Sequence, residues 1–266
     1  MALKDILVHI DTFPQCATRL EVAVELAQRH NARLTGLYVL TRAAYASRSA
    51  AADTQAEAAK GMFNDRTAAA GIAAEWVRID WQVVGVSIGE IITRHAYYAD
   101  LVVVGQTGAG KTGRKAADGI PERVILGSGR PVLTIPYAGT FSGIGQRIMV
   151  AWKAGRESTR ALNDALPLLR AAREVTLATV AEAADSTPVP VSICDHLQRH
   201  GVPVRAEKVL SGTLPTADTL LNQVAEQGID LLVTGAYGYT SKGIPELGEV
   251  AAQLLRSMTI PVLMSH

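Results

Sequence analysis

The 266-residue chain is 48% apolar, 19% charged and only 5% aromatic, and its 26 basic and 25 acidic side chains nearly cancel. That supplies core for one large or two small domains, and a net charge of +1 argues against broad electrostatic attraction to nucleic acid or anionic membrane. No apolar run approaches the ~20 residues that span a bilayer, and two distant cysteines, Cys16 and Cys194, without a CxxC pair fit packing roles in a reducing cytosol.

The opening MALKDILVHID sets Lys4 and Asp5 before a short apolar stretch that ends in Asp11, the pattern of a first strand near 5–10 and not of a signal peptide. A helix follows near 16–30, a strand near 33–40, a helix near 53–70 and a strand near 75–83. Next come a helix near 88–98, a strand near 101–105, a helix near 120–126 and a closing strand near 131–136. Residues 138–143, AGTFSG, read as a linker between domains 1–138 and 144–266. Beyond it, strands near 147–152, 174–180, 203–210, 230–235 and 261–264 alternate with helices near 157–172, 191–200, 216–227 and 246–257. Such alternation implies a parallel, doubly wound sheet with right-handed crossovers in each half. The dominance of Ala, Val, Leu and Ile suits strands buried on both faces.

The two halves repeat one another. DLVVVGQTG at 100–108 returns as DLLVTGAYG at 230–238, and Pro131-Val132-Leu133 returns as Pro261-Val262-Leu263, both at an offset of 130. Ile6-Leu7-Val8 returns as Ile148-Met149-Val150 at an offset of 142. Chance agreement at several places with one change of offset is improbable, so the chain is one small α/β domain twice over.

In open α/β sheets ligands bind beyond the carboxyl ends of strands, where strand order reverses. There the first copy has Asp11 and Thr12 after strand one and Gly105-Gln106-Thr107-Gly108 after strand four. Glycines admit close backbone approach to a phosphate, and Lys111, Arg114 and Lys115 follow at once. Alone, GxxG is a weak pattern, since a turn after a strand needs glycine anyway.

Together these features resemble a tandem universal stress protein of the nucleotide-binding type: a first strand ending in Asp, GxxG, nine residues, Gly-Ser or Gly-Thr, and a helix into a PVL strand. The resemblance implies two Rossmann-like or flavodoxin-like domains, each a five-stranded parallel sheet of order 3-2-1-4-5, related by a pseudo-two-fold axis. It implies a cytoplasmic stress-response protein that binds ATP or another adenine nucleotide. Asp11 would face the base or ribose, Thr12, Val39 and Val104 would also contact the nucleotide, and Gly105 and Gly108 would cradle the phosphates. Lys111 and Arg114 would neutralise them, with Gly119 at the phosphate-facing helix start. A second site would draw on Gly235, Gly238 and Gly248. By the same resemblance the closing strands pair across the two-fold axis, giving an intramolecular pseudo-dimer or a homodimer.

The departures are specific. Asp118-Gly119 replaces the expected Gly-Ser, Glu249 follows Gly248, and Lys153 occupies the place of Asp11. A carboxylate ~5 Å from a phosphate costs about 3 kcal/mol at an effective dielectric of ~20, unless Mg²⁺ bridges Asp118 to the phosphates or Lys111 and Arg114 offset it. The first copy is therefore the expected binder and the second the weaker or silent one.

Rival readings of the same residues fit less well. Residues 105–112 fit the P-loop pattern GxxxxGK[ST] letter for letter, but Gly113, Gly119 and Pro121 oppose the helix that must start at Lys111. His196 and His200 share a helix face with Cys194 and Asp195, yet no Glu stands between them as in HExxH and the first copy has no counterpart. His9 reads as a core histidine on a central strand, and Trp76 and Trp81 as packing at strand ends or against the linker. No nucleophile elbow or obvious general base is present, so turnover would be slow and incidental. A nucleotide-free interaction scaffold of the same fold is the alternative function.

Overall fold

The computed structural model describes residues 2–41, 50–81, 85–107, 119–182, 191–239 and 245–266. They form two compact units, Ala2–Ser142 and Gly143–His266.

The N-terminal unit runs β1 (Asp5–Ile10), α1 (Cys16–His30), β2 (Arg33–Thr41), α2 (Ala50–Ala70), β3 (Ala74–Trp81), α3 (Ile88–Ala96), β4 (Leu101–Gly105), α4 (Ile120–Ser128) and β5 (Val132–Ile135). Its strands lie in the order β3-β2-β1-β4-β5, and every pair is parallel. Strands β1 and β4 are apolar because helices cover both faces: Ile6, Val8, Ile10 and Leu101 through Val104 are essentially without solvent contact. Helix α1 turns Cys16, Leu20, Ala23, Leu26 and Ala27 inward at helical spacing. It ends at Asn31, whose left-handed conformation (φ 51°) closes the last turn. One arginine, Arg19, lies in that inward stripe.

The C-terminal unit repeats the plan with β6 (Arg147–Ala151), α5 (Arg156–Asp164), α6 (Leu166–Ala171), β7 (Glu174–Ala181), α7 (Val191–Arg199), β8 (Val204–Leu210) and α8 (Thr216–Glu226). It continues with β9 (Leu231–Gly235), β10 (Tyr237–Tyr239), β11 (Pro245–Leu247), α9 (Glu249–Ser257) and β12 (Val262–Ser265). Its parallel order, β8-β7-β6-β9-β12, is again 3-2-1-4-5.

Three local readings of the sequence need correction. The helix expected over 157–172 is two, α5 and α6, because Pro167 has no N–H to donate and is accommodated only in a first turn. Trp76 packs in neither a strand end nor the linker: it stacks on Tyr38 with ring centroids 5.9 Å apart and tilts against Phe63 at 5.6 Å. Phe63 in turn fills the space over Gly36, where a Cβ would come within 2.6 Å of the ring. The start expected for the last helix, near 246, is taken by β11, which pairs antiparallel with β10 to make a hairpin.

The acid that opens each repeated strand has a structural task. Asp100 Oδ2 accepts the amides of Lys4 (2.7 Å) and Asp5 (3.1 Å). Asp230 accepts those of Gly145 (2.6 Å), Gln146 (3.0 Å) and Arg147 (2.9 Å). Each carboxylate thereby clasps the start of the first strand of its unit to the start of the fourth. Charge-assisted bonds of this kind contribute about 1–2 kcal/mol net. Asp100→Ala and Asp230→Ala should each lower stability by about that amount in urea unfolding, whereas Asp→Asn should recover part of it.

Candidate functional site

β1 lies between β2 and β4, so the chain departs from it in one direction along the sheet and reaches β4 in the other. The carboxyl ends of β1 and β4 therefore flank the point where strand order reverses, the usual place for a ligand crevice. Asp11 follows β1 and Gly105 ends β4.

Asp11 is one-fifth exposed and held on two sides. Its Oδ1 accepts the Phe13 amide at 3.0 Å, fixing the turn after β1. Its Oδ2 lies 2.8 Å from Arg19 Nη2, with side-chain exposures of 19% for the acid and 4% for the arginine. Arg19 Nε donates to the His9 carbonyl at 2.7 Å. Nη2 is sealed from solvent without a well-aligned hydrogen bond, so Nη2 meets the carboxylate mainly through charge. Burial opposes that charge, but Asp11 and Cys16 beside it hold the guanidinium more firmly protonated than in water. Nη1 lies against Gly105, where any Cβ would collide with it.

His9 is buried on β1, with Nδ1 3.8 Å from Asp11 Oδ2. Burial first, and Arg19 second, push its pKa down to about 4 against the opposing pull of Asp11. The ring is thus neutral at physiological pH. The Cys16 thiol, which meets the Asp11 amide at 3.4 Å, is pushed up, chiefly by burial.

Of the other expected site residues, Thr12 is exposed, Val39 half-buried in β2 and Val104 buried in β4. Gly119 begins α4 in the left-handed conformation (φ 48°). Beside it the Glu122 carboxylate would stand 3.2 Å from a Cβ at that position, setting an acid over the helix start. Gly108, Lys111, Arg114 and Asp118 lie outside the described residues. Two contributors went unread in the sequence. Arg19 had as its only signal a lone cation in the apolar stripe of α1. Phe13, 60% exposed beside Asp11, had none.

The same place in the C-terminal unit is built differently. Lys153 is exposed and its amide meets Ser158 Oγ at 3.4 Å. At the position of Arg19 stands Ala161, buried. A Cβ on Gly235 would come within 2.8–3.1 Å of Glu157, two of the three atoms being backbone, so this glycine is needed for the approach of α5. Gly238 sits in the β10–β11 ladder opposite Glu246. The Gly248 amide donates to the Ala236 carbonyl at 3.2 Å. Elsewhere in this unit, the rings of His196 and His200 lie 4.6 Å apart, and Arg170 Nη2 stands 3.0 Å from His200 Nδ1.

Among the described residues no helix is long and apolar enough to cross a membrane. The model of the universal stress protein family matches residues 2–136. A universal stress protein from Archaeoglobus fulgidus DSM 4304 has the same fold at TM-score 0.76 and 18% identity, over 98% of this chain and 97% of its own. A protein of unknown function from Pseudomonas aeruginosa PAO1 follows at TM-score 0.63 and 13% identity, over 99% and 92%. A universal stress protein in complex with cAMP matches at TM-score 0.40 and 20% identity, over 52% of this chain and 100% of its own. No curated protein matches the chain.

Two outcomes follow from the geometry. Because the folded pKa of His9 is depressed from 6.5 to about 4, the unfolded chain binds its proton first as pH falls. Stability should therefore drop by about 3 kcal/mol between pH 6.5 and 4, and urea unfolding of His9→Leu should show a shallower decline. Gly105→Ala should cost about 1–3 kcal/mol, with part of the loss relieved in an Arg19→Ala background. No side-chain truncation should rescue Gly235→Ala, where backbone is in the way.

Proposed function

The chain belongs to the universal stress protein family, and from that premise we propose that its N-terminal unit binds an adenine nucleotide, ATP or a relative, in a cytoplasmic stress response, without efficient turnover. The observation that carries this reading is the placement of the Asp11 carboxylate and the side-chain-free Gly105 about one guanidinium, that of Arg19, at the reversal point of the N-terminal sheet. There Asp11, Thr12 and Val39 take the base and ribose end, and Val104, Gly105 and Gly108 line the path of the phosphates. Lys111 and Arg114 offset phosphate charge, and Gly119 opens α4 toward it. Mg²⁺ bridging Asp118 to the phosphates would remove the repulsion between them.

The contrast with the C-terminal unit supports placing the site in the first. A phosphate-binding loop needs backbone N–H groups free to point at the anion, whereas the Gly248 amide is bonded to Ala236 and Gly238 lies in a β-ladder. Slow turnover is supported by His9, the histidine nearest Asp11. A general base works best with a pKa near the operating pH, and this one is buried at about 4.

The test is to denature the purified protein, identify released nucleotide by mass spectrometry, and titrate Gly108→Val and Gly238→Val with ATP. Affinity should fall at least about tenfold in the first variant, ~1.4 kcal/mol, and stay within twofold in the second. Loss confined to Gly238→Val would move the site to the C-terminal unit. A parent protein that binds no nucleotide would leave the interaction scaffold. Rapid magnesium-dependent hydrolysis abolished by Lys111→Ala would point to P-loop chemistry.

A further inference from the structure

The buried ion pair of the N-terminal unit has a direction. Its negative pole, Asp11, stands at the carboxyl end of β1. Its positive pole reaches under the end of β4, with Arg19 Nη2 2.8 Å from Asp11 Oδ2 and Nη1 against Gly105. The guanidinium is pinned to the His9 carbonyl at 2.7 Å and is only 3% exposed, so it is a fixed charge and not a mobile surface one. Because Gly105 has no Cβ, the guanidinium comes directly against the backbone at the end of β4. Inside a protein a charge acts over several ångströms with less screening than at the surface.

We infer that the Asp11–Arg19 pair orients the ligand of this crevice and selects an anionic ligand over a neutral one. The acceptor pole suits the amino and hydroxyl donors of a nucleoside end. The cationic pole, acting through the Gly105 backbone, suits the phosphate end. The inference rests on the nucleotide reading of the same crevice and adds to it Arg19, a positioning and specificity-determining residue. A nucleotide carries its donors at one end and its anion at the other, so the dipole of the pair matches it in one direction only.

The C-terminal unit supplies a contrast within the chain. The inward faces of α1 and of the α5–α6 segment correspond position by position: Arg19, Leu20, Ala23 and Leu26 are buried in one unit, and Ala161, Leu162, Ala165 and Leu168 in the other. In that register Lys153 stands for Asp11 and Ala161 for Arg19. Both poles are absent together, as expected if they work as a pair. Lys111 and Arg114 also carry positive charge, and salt tests which cations act: the effect of a buried cation persists where that of a solvent-exposed one is screened.

The experiment compares AMP, ATP and adenosine by calorimetry at low and raised salt, using the full chain and its Arg19→Met, Arg19→Lys and Asp11→Asn variants. The parent should prefer AMP to adenosine. Arg19→Met should weaken AMP and ATP about tenfold while leaving adenosine within about twofold, and the difference should survive raised salt. Arg19→Lys should retain most of the preference. Asp11→Asn should weaken adenosine and raise the ratio of AMP to adenosine affinity. Equal losses for AMP and adenosine in Arg19→Met would make the arginine merely structural and overturn the inference, while leaving the nucleotide reading intact. A parent that binds none of the three ligands would overturn both. Circular dichroism checks each fold, and if Arg19→Met does not fold, Asp11→Asn decides the matter: an AMP-to-adenosine ratio that does not rise overturns the inference.

Discussion

Two parallel strands cannot be joined by a tight turn, so the chain must cross a face of the sheet between them, and it does so with one hand. In each unit the first crossover leads from the first strand to the second, and a later one brings the chain back to the fourth strand on the other side. Connections thus diverge above the ends of β1 and β4, and of β6 and β9, the position at which open parallel sheets take their ligands. The backbone plan creates this opening and leaves its filling to side chains and loop backbone.

The two units line it by different means. In the N-terminal unit a guanidinium enters from α1, takes the Asp11 carboxylate and lies beneath Gly105. Removing a charge from water is costly unless it is paired and hydrogen-bonded. Arg19 meets that demand with a carboxylate and a backbone carbonyl. In the C-terminal unit the first turn of α5 approaches Gly235 directly, and the β10–β11 hairpin engages the glycines that follow. Glycine after the fourth strand thus serves two purposes, room for a cation in one copy and room for a helix in the other.

That double use marks the limit of reading the sequence. The repeat and the alternation of strands and helices were legible because burial on both faces imposes long apolar runs and because the motifs recur at fixed offsets; the sheet order came with the family resemblance. Asp11 and Gly105 were legible as neighbours because the strand order implied by the resemblance brings strand ends one and four together. Arg19 was not. Its place in α1 follows the same spacing as Leu20 and Ala23, and nothing in a one-dimensional pattern tells a paired buried cation from a snorkelling one. The hairpin was hidden for a related reason: Pro245-Glu246-Leu247 carries too few residues for a strand period to emerge. Pro167 was visible, yet a proline one residue into a new helix reads the same as one inside a continuous helix until the break is seen. Trp76 was misplaced because its partners, Tyr38 and Phe63, come from two other elements.

The carboxylate clasps have a consequence in time as well as in space. Asp100 reaches the amide of Asp5 across 95 residues, and Asp230 that of Arg147 across 83. Chain entropy must be spent on so long a closure before either bond returns anything. Each clasp becomes less costly to close once the second and third strands and their helices have shortened the effective loop. Assembly of each unit is governed by non-local pairing, so a nascent half keeps the start of its first strand unsecured until its fourth strand has been synthesised.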